Sequence, residues 1–313
     1  PWEKPPASPL AKSPAPHRAS FTSGSAFESR ATGSPAGSSG EASGFSTRKK
    51  PGTTPGLVRV RCVDAGTLPP MPAPPVYLVV HLPKTGGTTF NGHLAQHLEW
   101  DREFVHLGPW GDRRRAGSGS PDPSDWPPEA WDRVQVIAGH HVDGSTAASL
   151  VPDREARYLT VLREPARRLV SLYNFQVSRT GDRVGFWDWH DRRNANPITR
   201  RLRKALGVDS AAGVREALER FWFVGITERL DDDLPHVFAS LGVPTTWRDR
   251  RVTGGPDDLD DLDMGRDMYP LRSHLEPDGE ILGRLREQHP RDVRLYEFAR
   301  RLRTRQRRTL GWD

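Results

Sequence analysis

One cysteine is all this chain has, Cys62 among 313 residues. No disulfide can close within it, and no cysteine cage for a metal can be built. The same scarcity suits a reducing compartment, the cytoplasm in the simplest case. Long apolar runs are missing too: no stretch approaches the roughly 20 residues that span a bilayer, and no signal-peptide core stands out. The chain begins at Pro1 rather than Met, so a Golgi-type membrane anchor upstream of it is compatible with the sequence. Bulky apolar residues are scarce in the first quarter. From Pro1 to about Pro75 the composition is Pro, Ser, Gly, Ala and Thr, as in "PASPLAKSPAPHRAS", which cannot bury enough surface to offset its ordering entropy. Residues 1–75 are therefore expected to be disordered, residues 76–308 to form one globular domain, and residues 309–313 to be a short tail.

Charge is not scarce. Lys and Arg number 46 against 40 Asp and Glu, a formal net charge of +6 that favours anionic partners without choosing among them. The Arg-rich end "RRLRTRQRR" reads as a solvated helix end. A non-catalytic module that binds polyanions thus remains a rival to any enzyme reading.

The first element that can enter a core is "VYLVV", Val76 to Val80, a continuous apolar run of the kind that parallel sheets bury on both faces. Phe90, Leu94 and Leu98 follow at helical spacing. "GPWGDRRRAGSGSPDPSDWPP" is expected to be a long loop, Arg133 to His141 a second strand, and Arg157 to Leu162 a third. After "REP", Leu169, Leu172 and Tyr173 stripe one helix face while Arg167 and Ser171 share another. Val214, Leu218 and Phe221 mark a helix, "FWFVGIT" a strand, and Leu230 to Leu241 a helix with Asp and Pro235 in its first turns. Two further helices, around Ile281 to Leu285 and Leu295 to Leu302, close the chain. Strands alternating with helices predict an α/β fold, a P-loop-like three-layer sandwich with a central, mostly parallel sheet flanked by helices.

"HLPKTGGTTF", His81 to Phe90, lies between the first strand and its helix. Gly86 and Gly87 let the backbone turn tightly and approach a ligand, and the N–H groups from Thr85 to Thr89 converge on a helix N-terminus. Such a loop cradles a phosphate, with hydroxyls from Thr88 and Thr89 and the ammonium of Lys84 at its edge. In a nucleoside triphosphatase loop the Lys-Ser/Thr pair follows the last glycine, and an acidic strand end holds Mg²⁺. Here Lys84 precedes the glycines, and no strand end offers an obvious aspartate, which makes a P-loop-type small-molecule kinase the alternative.

A second constellation is "LREPARRLVSLYNF". Arg163 stands at the carboxyl end of a strand, where open α/β sheets bind ligands, and Ser171 lies early on the next helix. An arginine fork with a hydroxyl suits a phosphate monoester.

With these residues in view, the chain resembles the sulfotransferases that use 3'-phosphoadenosine-5'-phosphosulfate (PAPS) and include the heparan sulfate 2-O- and 6-O-sulfotransferases. "PKTGGTTF" resembles their 5'-phosphosulfate loop and "LREPARRLVS" their 3'-phosphate element. "VGITERL" and the segment from Arg272 to Leu302 resemble later family segments, the last including a nucleotide-capping loop here represented by Ser273. The resemblance implies PAPS as co-substrate and PAP as product, no metal, and nucleotide contacts from Lys84, Thr85, Gly86, Gly87, Thr88, Thr89, Arg163, Ser171 and Ser273. It implies a sulfuryl acceptor that is hydroxylated, a glycan or glycolipid rather than nucleic acid. Lys84 would stabilise the leaving phosphate oxygen. A base must take the acceptor proton, and histidine suits neutral pH. His140 and His141 end the second expected strand, where adjacent residues face opposite sides, and the alignment of "AGHHVDG" with the family's catalytic segment favours His141, with His140 the alternate. Two other features stay open. His93 and His97 lack a third ligand and read as a helix face, and the Trp187, Trp189 and arginine stretch suits sugar stacking and a plain surface insertion equally.

Overall fold

The computed structural model describes residues 73–180, 184–247 and 275–312. Nearly all of the segment expected to be disordered, and Ser273 of the expected capping loop, lie outside the described residues.

The described strands form one five-stranded, all-parallel sheet in the order β2-β3-β1-β4-β5. They are β1 (Val76–Val80), β2 (Phe104–Leu107), β3 (Val136–Gly139), β4 (Ala156–Leu162) and β5 (Phe223–Ile226). Pairing is in register from Tyr77 opposite Val136 and Arg157 to Val79 opposite Ala138 and Leu159. The chain leaves β1 for one side of the sheet and returns to the other, so the carboxyl end of β1 is a topological switch point.

The pleat of β1 sorts the helices into two layers. Val76, Leu78 and Val80 pack with Ile198 and Leu202 of α6 (Pro197–Leu206), Val214 and Leu218 of α7 (Ala211–Glu219), and Leu295 and Leu302 of α10 (Pro290–Leu310). Tyr77 and Val79 face Phe90 and Leu94 of α1 (Gly87–His97) and Leu234 and Phe238 of α8 (Leu230–Ser240). Phe90 and Phe238 stack at 5.6 Å, and each buried ring is worth about 1.5–3 kcal/mol. A third cluster joins α4 (Pro165–Thr180), α5 (Phe186–Asp191) and α9 (Gly279–Gln288). The three-layer expectation is met, and the sheet proves wholly rather than mostly parallel.

Local chemistry sets the boundaries. Pro197 and Pro290 open helices, and Gly207 and Gly311 close them with φ of 63° and 70°. Ser210 and Asp278 cap α7 and α9 through side-chain oxygens. Helix α6 is capped from outside: Asp292 of α10 accepts the N–H groups of Ile198 and Thr199.

Three expectations change. The long loop after Leu107 contains α2 (Pro109–Ser118), anchored by Arg115, whose guanidinium bonds the His106 carbonyl and Asp101. β2 itself was not foreseen. The second expected strand is shorter than Arg133–His141: β3 stops at Gly139, where φ is 137° and a Cβ would collide with the Leu107 carbonyl. α10 continues to Leu310, and Trp312 beyond it is buried against Trp222 and Phe223.

Candidate active site

The glycine loop sits at the carboxyl end of β1. Gly86, with φ of 95°, is the N-cap of α1, and a Cβ there would meet Leu230 Cδ1 at 2.5 Å. No side chain caps the helix, and a bond from Phe90 N–H to Gly86 O closes its first turn, which leaves the N–H groups of Gly87 and Thr88 at the open helix N-terminus. Lys84 holds φ at 68°, a left-handed conformation unusual for a side-chain-bearing residue. The loop is over-determined from several directions. Thr85 Oγ1 donates to Leu82 O (2.8 Å), Thr227 Oγ1 to Thr85 O (3.0 Å), Arg163 to Lys84 O (3.3 Å) and Arg168 to Pro83 O (2.9 Å).

The expected site residues fall into two groups. Lys84, Gly86, Gly87 and Thr88 are half-buried at the loop surface, whereas the side chains of Thr85 and Thr89 are buried, and the Thr85 hydroxyl holds the turn. The Lys84 ammonium lies 4.4 Å from the centre of the Phe175 ring. Burial first, and the nearby Arg163 guanidinium second, pull its pKa down to about 8. Phe175 lies one turn beyond the half-buried Ser171 on α4, which brings the Ser171 face of that helix to the loop.

His140 and His141 both follow β3 in a turn, so strand alternation does not separate them. His141 is exposed. His140 is half-buried, and its Nδ1 lies 3.1 Å from the carbonyl oxygen of His81. A carbonyl only accepts, so Nδ1 carries the proton and Nε2 of the neutral ring keeps its lone pair. Burial, above all, holds His140 below the usual imidazole range, and Arg201 and His141 add to this against the opposing His81 carbonyl.

Several groups here went unnoticed in the sequence. His81 stacks on His140 with centroids 4.4 Å apart. His106, at the end of β2, accepts from Gly111 N–H and is driven down to about 3 by burial and then by His140. Arg201 of α6 donates to His140 O at 3.3 Å, and Arg168 is 4 % exposed with one guanidinium nitrogen, Nη1, buried without a hydrogen-bond partner. Lys84, Arg163, Arg168 and Arg201 thus concentrate positive charge around the loop. The motif HLPKTGG, which begins with His81, was a readable signal for that histidine; nothing in sequence spacing pointed to Arg201.

Two carboxylates stand two residues beyond strand ends, Glu164 after β4 and Glu228 after β5. Both are engaged by protein: Glu164 accepts from Arg167 N–H and pairs with Arg286, while Glu228 accepts from Glu164 N–H and the Tyr296 hydroxyl. Among the described residues no cluster of three His, Cys, Asp or Glu could hold a metal, and no helix is long and apolar enough to cross a membrane. His93 bonds Pro244 O at 2.7 Å. Trp189 is buried under Arg193 and bonds Gln176, and Trp187 is covered by Arg284. Those rings pack against protein rather than facing outward for a sugar.

The architecture is similar to that of a bacterial sulfotransferase. That protein, from Alicyclobacillus acidocaldarius, shares 19% identity over 77% of this chain and 97% of its own, with a TM-score of 0.36. No protein-family model matches the chain, and no curated protein matches it either. The functional reading therefore rests on the residues.

A cavity of about 590 Å³ opens at the opposite end of the sheet, lined by Tyr77, Gln135 and Arg154 among others. It lies at the amino ends of the strands, away from the loop, so hollow shape alone does not locate the chemistry here.

Proposed function

We propose that this chain transfers the sulfuryl group of PAPS to an acceptor hydroxyl, on a glycan or glycolipid. The observation that carries the reading is the meeting of a cationic glycine loop with a neutral imidazole, His140, whose Nε2 is free to accept a proton. The loop N–H groups and Lys84 would hold the 5'-phosphosulfate, and Arg163 with Ser171 the 3'-phosphate. As the acceptor oxygen bonds to sulfur, its proton passes to the imidazole, and the bond from sulfur to the bridging oxygen breaks. The electron pair stays on the 5'-phosphate of PAP, where the Lys84 ammonium offsets the growing charge. This geometry puts His140 ahead of His141 as base. The chemistry calls for no metal.

A kinase reading requires a strand-end carboxylate on Mg²⁺. Glu164 and Glu228 stand at such positions but are committed to Arg286, Tyr296 and backbone donors.

The test is calorimetric binding of PAP and ATP, followed by transfer from labelled PAPS to a panel of hydroxylated acceptors. Tight saturable PAP binding with far weaker ATP binding is expected. His140→Ala should then lower kcat roughly 10²–10⁴-fold while leaving PAP affinity nearly unchanged. Mg²⁺-dependent ATP turnover would replace the reading with a kinase, and affinity that tracks only salt and polyanion length would replace it with a binding module. If His141→Ala abolishes turnover and His140→Ala does not, the base is one residue further on.

A further inference from the structure

His81 meets both halves of the site, the loop through its ring edge and the imidazole of His140 through its ring face. Gly87, the first residue of α1, has no room for a Cβ because the His81 ring lies where it would go. The opposite contact is the near-parallel stack on His140, 4.4 Å between centroids and 23° between planes. The same residue supplies the carbonyl that takes the His140 Nδ1 proton. Its own backbone is fixed by a bond from His81 N–H to Gly139 O, one residue before His140. His81 Nδ1 is buried and has no hydrogen-bond partner, so that nitrogen gives the ring no polar tether, and the stack on His140 and the edge contact with Gly87 hold it.

We infer that His81 is the positioning residue of the proton acceptor: its ring sets the plane of the His140 imidazole, its carbonyl selects the tautomer, and its contact with Gly87 keys both to the phosphate loop. The inference rests on the reading of His140 as the base. A stacked ring without a charge is required for this role, since a cation there would repel His140 and the Lys84 ammonium. The surroundings keep it neutral: burial, followed by His140, His106, Arg201 and Lys84, holds His81 well below the usual imidazole range. The charged and titratable groups facing His140 are His81 from the end of β1, His106 from β2, its neighbour His141, and Arg201 from α6.

The first readout needs no activity. Nitrogen-15 NMR of the intact chain should show the neutral His140 ring protonated at Nδ1, and His81→Ala, which removes the stacked ring but keeps the backbone carbonyl, should preserve that tautomer while moving the His140 titration to higher pH as the ring gains water. In transfer assays His81→Ala should lower kcat about 10- to 100-fold, the scale of a misplaced catalytic group, with PAP affinity within about 3-fold of wild type. The acid limb of kcat/KM should move to higher pH in step with the NMR titration. His81→Asn, which keeps a planar side chain, should recover part of the loss and provides the comparison if the alanine variant folds poorly. An Nδ1-unprotonated His140 in the wild type overturns the inference, as does a variant whose kcat and PAP affinity fall together without a change in pH profile. If PAP does not bind but the tautomer and the titration shift are as stated, the proposed function fails and the coupling between the two histidines stands.

Discussion

Two groups of poorly hydrated arginines differ in what answers their charge. Between α8 and α10, Arg303 and Arg307 converge on Asp233, which is 1 % exposed and accepts three bonds of 2.6 to 3.0 Å from them. Around the glycine loop, Arg168 and Arg201 reach the backbone carbonyls of Pro83 and His140, and Arg163 also bonds that of Lys84. A carbonyl satisfies a donor but leaves a full positive charge in place. Asp292, whose charge reaches Arg168, is itself occupied by the α6 N-terminus and the Thr199 hydroxyl. The first cluster spends its charge on holding two helices together, whereas the carbonyls that Arg168 and Arg201 reach leave the charge of those guanidiniums to the anion of the proposed function.

The contrast breaks most visibly at Asp233. Asp233→Asn leaves two arginines facing each other without their anion and should destabilise the fold by about 3–5 kcal/mol in urea unfolding. Arg201→Ala should cost under about 1 kcal/mol by the same measurement. Similar losses for the two would mean that the loop arginines are structural.

Arg163→Ala sharpens the other side. It should weaken binding of PAPS about 10- to 100-fold, the worth of a charge-assisted hydrogen bond, and of adenosine 5'-phosphosulfate far less. Equal weakening in calorimetry would place Arg163 away from the 3'-phosphate.

How much of this contrast could be read in advance depended on whether the chain or the fold supplies the partner. The loop was legible because strand, glycines and helix are contiguous from Val76 to His97. The α8 helix was legible for the same reason, from its apolar spacing and acidic first turn. The arginine clusters were not. Asp233 and Arg303 are far apart in sequence, and Arg201 joins the site only through α6, which falls in an arginine-rich stretch whose composition suits sugar stacking and a surface insertion equally. β2 escaped because Phe104–Leu107 is four residues long and is defined by its pairing with β3. α2 escaped because Pro109, Gly111 and Gly117 read as loop signals that outweigh its arginines; the Arg115 bonds hold it. The two adjacent histidines could not be ordered by pleat, because Gly139 ends the strand before either.

A pH series tests the loop cluster without mutation. Lys84 is charged below its lowered pKa of about 8 and neutral above it, so kcat/KM for the nucleotide should be sustained below that value and decline as pH rises through it. Lys84→Arg should remove this alkaline limb, since a guanidinium stays charged there.

The smallest effect lies away from both clusters. His289 Nδ1 accepts Asn196 N–H, its Nε2 meets His190 Nε2 at 2.9 Å, and His190 Nδ1 reaches Asp191. Burial, and then His190, depress the His289 pKa from 6.5 to about 4. The unfolded chain takes up this proton first, so the contribution is complete above about pH 6.5 and is lost as pH falls toward 4. Urea midpoints should drop across that window, and His289→Gln should flatten the slope.

The lowered Lys84 pKa has a consequence in covalent chemistry. At pH 7.4 about a fifth of such an amine carries a free electron pair, compared with roughly one in a thousand for an ordinary lysine. Lys84 is therefore more open to acylation or sulfonylation under mild conditions than a lysine of ordinary pKa, and a bound anion that re-protonates it would shield it. A labelled Lys84 would make ligand occupancy of the loop measurable by mass, with no knowledge of the acceptor.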